Sequence, residues 1–111
     1  MIVDDQVVIM GSANINDRSM LGTRDSELAI ITRDRNLIET KMATKNYKAA
    51  KFAHQLRKEL YMEHLGIKNQ LEVADPLDPQ LLKLMTDRAN TNTRAYRDIF
   101  RCVPDELVKT A

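Results

Sequence analysis

The apolar positions change period along the chain. Met1-Ile2-Val3 and Val7-Val8-Ile9-Met10 are short apolar runs around Asp4-Asp5-Gln6, the pattern of a β-hairpin. Its first strand opens at the first residue. A strand needs a lead-in and a paired partner, so the expectation is a piece of something longer. Gly11-Ser12-Ala13-Asn14 then breaks the pattern, and the stretch to Asp25 reads as a polar loop. Glu27 to Thr32 is the next apolar run, too short for a helix, and predicts a buried strand ended by Arg33-Asp34-Arg35-Asn36.

From Tyr47 to Leu65 the period becomes helical: Ala49, Phe52, Ala53, Leu56 and Leu60 recur on one side with basic residues between, and Gly66 stands where a left-handed cap belongs. In Asp75-Pro76-Leu77-Asp78-Pro79, Asp78 fits an N-cap and Pro79 the first position of a helix carrying Leu81, Leu82 and Met85. Ala95, Tyr96, Ile99 and Phe100 predict a further helix from Arg94 to Phe100, stopped by Pro104. The expected fold class is α/β: a hairpin, one further strand, and two or three helices. At 111 residues and 43% hydrophobic content this is one small domain with a modest core.

Charge is nearly balanced, with 17 Lys and Arg against 16 Asp and Glu, so no global field selects a polyanion and nucleic acid is not an expected partner. The balance is uneven locally. Residues 41–68 hold seven Lys or Arg against two Glu, whereas residues 1–40 hold four basic against seven acidic side chains. A basic amphipathic helix over 41–68 would suit a lipid- or nucleic-acid-binding module, or simply form the solvated face of a packed helix. The single cysteine, Cys102, makes no internal disulfide or metal cluster, which favours a reducing, cytoplasmic setting. No metal site is apparent, and no apolar run approaches the roughly 20 residues that cross a bilayer.

The segment with chemical content is Asp4, a six-residue gap, then Gly11-Ser12-x-Asn14. A small-residue turn after a strand frees backbone amides and admits an anion close to the chain, and the Asn14 carboxamide is a neutral donor that does not titrate. Taken alone, the segment fits an ordinary strand-ending turn equally. It resembles the second half of the HKD signature of the phospholipase D superfamily, and the run from Ile15 through Asn16-Asp17-Arg18-Ser19-Met20-Leu21-Gly22-Thr23-Arg24-Asp25-Ser26 to Glu27 is similar to the continuation of that motif in eukaryotic phosphatidylcholine-type enzymes. Phe52-Ala53, Leu56-Arg57, Gly66 and Phe100-Arg101-Cys102-Val103-Pro104 echo the same family more loosely.

The resemblance implies a partial C-terminal catalytic half-domain over 1–111, beginning just after the His-x-Lys of the motif, which would stand ahead of Met1. Neither His54-Gln55-Leu56 nor His64-Leu65-Gly66 supplies that motif. It further implies hydrolysis of phosphatidylcholine, or transfer of its phosphatidyl group, through a phosphohistidine, with no metal or cofactor in the chemical step. The implied partners are a phospholipid membrane surface, met peripherally, and the N-terminal HKD half. Carried over residue by residue, Asn14 binds phosphate, Ser12 positions it, and Asp4 is the motif acid in a supporting role, since a carboxylate beside phosphate would be repelled. Asp5 is its register-shifted rival. Gly11, Arg18 and Arg24 are candidate substrate contacts, although Arg18 and Arg24 could equally pair with Asp17, Asp25 and Glu27. Without its His-x-Lys the chain is expected to be inactive alone. The rival expectations are the non-catalytic module and a different HKD phosphodiesterase.

Overall fold

A computed structural model describes residues 1–100. Strands β1 (Ile2–Val3), β2 (Val7–Gly11) and β3 (Ala29–Arg33) form an antiparallel sheet in chain order, with a single helical turn, α1 (Asp17–Met20), in the loop between β2 and β3. Strands β4 (Leu37–Met42) and β5 (Lys45–Ala50) form a separate hairpin that runs directly into α2 (Lys51–Leu65). A 3-10 turn (Gln70–Val73) and the long helix α3 (Pro79–Ile99) complete the described chain.

The expected hairpin, the following strand, the Gly66 cap and the Asp78 cap all form. Gly66 takes φ 65°, the left-handed conformation that costs a residue without a Cβ least, and Asp78 accepts from the Gln80 amide at 2.8 Å. The strand expected over Glu27–Thr32 occupies Ala29–Arg33 instead. The α/β class holds with five strands rather than three, because residues 37–42 and 45–50 form a hairpin. Tyr47 and Ala49, expected on the helix, belong to β5, and the basic stretch 41–68 is therefore not one helix: Lys41, Lys45 and Lys48 ride on the hairpin, Lys51 and Lys58 on α2. The helices expected after Pro79 and from Arg94 are one continuous helix. Pro104 and the Arg101-Cys102-Val103 stretch lie outside the described residues.

Distant carboxylates explain the local departures. Asp34 accepts the Asn36 and Phe52 amides at 2.8 and 3.2 Å, so α2 is capped from the preceding loop, while its own N-cap residue, Ala50, offers no side-chain acceptor. These amides hold the Asp34 carboxyl below its ordinary range. The β4–β5 turn puts Ala43 and Thr44 at φ 52° and 66°, and both their amides donate to the Asp75 carboxylate, at 3.0 and 2.7 Å. Burial pushes the Asp75 carboxyl up, but the Thr44, Leu77 and Ala43 amides outweigh it and leave it lowered.

Two small apolar clusters form the core. Val8, Ala50 and Ala53, flanked by Ile2 and Leu56, pack the sheet on α2. Leu65, Val73 and Leu81, flanked by Tyr61, Met62, Ile67 and Met85, join α2 to the 3-10 turn and α3. Between them lies a buried polar knot. Asp5, in the β1–β2 turn, meets Arg57 of α2 in a bidentate pair, Nε to Oδ1 at 2.7 Å and Nη2 to Oδ2 at 2.8 Å, and His54 Nδ1 stands 2.8 Å from Oδ2. Arg57 also donates to the Val73 and Ala74 carbonyls at 2.7 and 3.0 Å, and its guanidinium lies 5.4 Å from the centre of the Tyr61 ring. Burial raises the Asp5 carboxyl, but hydrogen bonds and charge from Arg57 and His54 more than offset this and hold it below its ordinary value of 3.8.

Removing one member of a buried pair strands the other. Arg57→Met should lower the unfolding free energy by about 3–5 kcal/mol, read as a lower urea midpoint. A depressed Asp5 pKa adds stability that is complete above the unfolded value of 3.8 and is lost as pH falls through the lower folded value. The stability gap between wild type and Asp5→Asn should therefore narrow in urea titrations carried below that pH.

Candidate functional site

The loop between β2 and β3 encloses a polar cleft of ≈ 570 Å³ at the Gly11 end of the sheet, and Ser12, Asn14, Arg18, Arg24 and Glu27 are among the residues lining it. Glu27 organises this loop. Its carboxylate accepts the hydroxyl of Ser12 at one oxygen and that of Ser19 at the other, the latter at 2.5 Å. Each hydroxyl in turn accepts a backbone amide, Leu28 onto Ser12 Oγ and Asn14 onto Ser19 Oγ, both at 3.1 Å. Two serines thus relay one carboxylate to the backbone on both sides of the cleft. Hydrogen bonds from the Ser12 and Ser19 hydroxyls, with the nearby charge of Arg18 adding to them, keep the Glu27 carboxyl below its ordinary range. Asn16 Oδ1 caps α1 through the Ser19 amide at 3.0 Å, which places Ser19 for its part in this network.

That arrangement leaves the Asn14 carboxamide unengaged by any hydrogen bond among the described residues, on an exposed residue lining the cleft. The arginines divide. Arg18 pairs with Asp25, Nε to Oδ2 at 2.9 Å, whereas the Arg24 guanidinium lines the cleft without an ion-pair partner among the described residues. A neutral amide donor and a guanidinium facing the same hollow can hold a phosphodiester anion, because each can donate to a non-bridging oxygen while Asp25 and Glu27 are already occupied.

The other sequence candidates lie elsewhere or serve the backbone. Gly11 gives β3 room: a Cβ there would meet the Leu28 carbonyl oxygen at 2.4 Å and the Ala29 Cα at 2.7 Å. Asp4 is exposed in the hairpin turn at the far end of β2, about 13 Å away for a strand of this length. Its backbone carbonyl accepts the Tyr47 hydroxyl at 2.8 Å. The buried ion pair in this turn is made not by Asp4 but by its neighbour Asp5, with Arg57. Sequence reasoning gave Glu27 only a charge-pairing part, and the signal for its larger role is the placement of Ser12 and Ser19 within one loop ahead of it.

The described residues contain no helix long and apolar enough to cross a membrane. The family profile described as Phospholipase D matches residues 1–107. The chain belongs to the phospholipase D family. It is 45% identical over 111 residues to phospholipase D zeta 1 of Arabidopsis thaliana, an alignment covering 97% of this chain and 10% of that protein. Phospholipase D2 of Bos taurus is 41% identical over 112 residues, covering 99% of this chain and 12% of the relative, and phospholipase D1 of Homo sapiens is 40% identical over 97% of this chain and 10% of its own length. The chain thus spans about a tenth of the length of these relatives.

The phospholipase D loop depends on one carboxylate. Glu27→Ala should free both serine hydroxyls and speed hydrogen exchange at the Asn14 and Leu28 amides by about tenfold. Exchange at the β4–β5 hairpin should stay unchanged.

Proposed function

We propose that this chain is part of the C-terminal half of a phospholipase D that hydrolyses phosphatidylcholine to phosphatidic acid and choline, or passes the phosphatidyl group to an alcohol. Its contribution is to hold the phosphate. The observation that carries this reading is the free Asn14 carboxamide in the polar cleft, with Arg24 beside it. Asn14 donates to a non-bridging oxygen, and Arg24 offsets charge as it gathers on phosphorus oxygens. Ser12 acts through the backbone, since its hydroxyl is committed to Glu27 and Leu28. Asp4 and Asp5, at the other end of β2, support the strand that carries the cleft. No His-x-Lys stands within residues 1–111, so a nucleophile and a general acid must come from other parts of the enzyme.

The N-terminal HKD half is the proposed neighbour. Strands β2 and β3 are nearly continuous apolar runs, the pattern of strands covered on both faces. Yet Met10 and Ile30 on one face are 44% and 57% exposed, and Ile31 on the other is 62% exposed. Beyond the Val8 contact with α2, a sheet end left apolar and exposed on both faces fits a seat for the rest of the catalytic fold. The assembled enzyme would work peripherally, at the cytoplasmic surface of a phospholipid membrane.

The test uses glycerophosphocholine, a soluble phosphodiester, titrated into the isotope-labelled chain. A saturable shift of the Asn14 side-chain amide, weakened about tenfold in Asn14→Ala when read at Arg24, is the expected result. Shifts confined to the lysines of the β4–β5 hairpin and α2 would overturn the phosphate reading. Residues 1–111 should release no choline from phosphatidylcholine vesicles above a blank; release that Asn14→Ala abolishes would overturn the proposed inactivity.

A further inference from the structure

A second cavity, of ≈ 300 Å³, lies along α2 and shares no residue with the cleft around Asn14. Its wall includes Lys51, His54, Gln55, Lys58, Glu59 and Gln70. His54 is the unusual member, with only 6% of its surface exposed. Its Nδ1 lies 2.8 Å from the Asp5 carboxylate and 3.3 Å from Arg57 Nη2. The carboxylate can only accept, so Nδ1 carries the proton and donates, and the ring is fixed in orientation. Among the described residues, Nε2 has no hydrogen-bond partner. Among the described residues no buried side-chain nitrogen or oxygen is left both sealed and unpaired, so Nε2 is reached from outside, and the cavity it lines is the route.

The surroundings favour an anion. Lys51 and Lys58 stand on the same side of α2 as His54, three residues before it and four after. Lys58 Nζ is steadied by Gln70 Oε1 at 3.2 Å, and the one carboxylate, Glu59, already accepts from Gln55 Nε2 at 2.9 Å. No group of three histidine, cysteine, aspartate or glutamate side chains among the described residues could hold a metal ion. A phosphomonoester suits Nε2 better than a carboxylate does. Its second proton is lost near neutrality, so whether the phosphate or the imidazole holds that proton, one hydrogen bond joins a phosphoryl oxygen to Nε2. A carboxylate at neutral pH makes that bond only with a doubly protonated ring.

We propose that His54, Lys51 and Lys58 form a binding site for a phosphomonoester group, separate from the phosphodiester cleft at Asn14. The group can come from a soluble phosphate or from a lipid phosphomonoester. Phosphatidic acid, the product of the reaction proposed above, is one such lipid, but the site itself does not rest on that reading.

The full chain, labelled at histidine, is titrated with inorganic phosphate at constant ionic strength and the His54 ring resonances are followed. A saturable shift is expected, weakened about tenfold in the double variant Lys51→Gln/Lys58→Gln, which leaves the Asp5, His54 and Arg57 contacts intact, and unchanged in Asn14→Ala. A parallel arm compares sedimentation with phosphatidylcholine vesicles containing or lacking phosphatidic acid. Lysine-dependent recruitment by phosphatidic acid supports the site with a lipid source, and a phosphate response without recruitment supports it with a soluble one. A response matched by chloride, kept in the double lysine variant, or abolished by Asn14→Ala would overturn the proposal.

Discussion

The two apolar clusters are too small to hold this chain together separately, and the Arg57 guanidinium is what joins them. From one position on α2 it reaches the β1–β2 turn through Asp5 and the 3-10 turn through the Val73 and Ala74 carbonyls. A lysine could not replace it, because a single ammonium cannot present a planar fork to a carboxylate and still meet two carbonyls behind it. The desolvation cost of placing a guanidinium and a carboxylate inside is offset only because nearly every donor has an acceptor. This is also why Asp5 is anionic and why the His54 ring is held in one orientation: both follow from the same pair.

Carboxylates elsewhere perform a related service for the backbone. Asp34 caps α2 from a loop, Asp75 gathers the amides of a turn, and Glu27 reaches the cleft backbone through two hydroxyls. In each case an acid satisfies amides that regular secondary structure leaves unpaired. The abundance of acidic side chains in the first forty residues is thus partly an account of backbone donors, and counting charge alone as a guide to partners misses it. The left-handed residues Asp4 and Asp5, at φ 50° and 49°, belong to the same pattern: aspartate tolerates that conformation, and the Asp5 carboxylate and the Asp4 and Asp5 carbonyls are all engaged from α2 or β5.

What the sequence disclosed depended on whether the cause was local. The β1–β2 hairpin, the Gly66 cap and the Asp78-Pro79 helix start are written in adjacent residues and could be read directly. The β4–β5 hairpin could not, because Ala43 and Thr44 carry no turn signal and their turn is held by Asp75, over thirty residues away. The start of α2 was misplaced for the same reason, since its cap is Asp34. In the candidate site, the motif singles out Ser12 and Asn14, which the fold does bring to one cleft, whereas the different places of Asp4 and Asp5 are not written in the sequence: both fit a turn, and only the position of Arg57 decides which carboxylate is buried. The continuity of α3 through Asn90-Thr91-Asn92-Thr93 was hidden by residues of poor helix propensity, one of which, Thr91, bonds back to the Asp87 carbonyl at 2.9 Å.

The motif spacing itself now has a physical meaning. The six residues between Asp4 and Gly11 are the rest of a turn and nearly all of β2, so the gap measures a strand. At one end the turn is anchored by Arg57; at the other, Gly11 lets β3 approach and Ser12 meets Glu27. Because side chains alternate, adding or removing one residue in this strand would turn Val8 away from Ala50 and Ala53 or carry Ser12 off Glu27. Asp4 and Asn14 are therefore coupled without touching: the hairpin turn sets where β2 begins, β2 sets where the loop begins, and the loop sets where Asn14 meets the cleft.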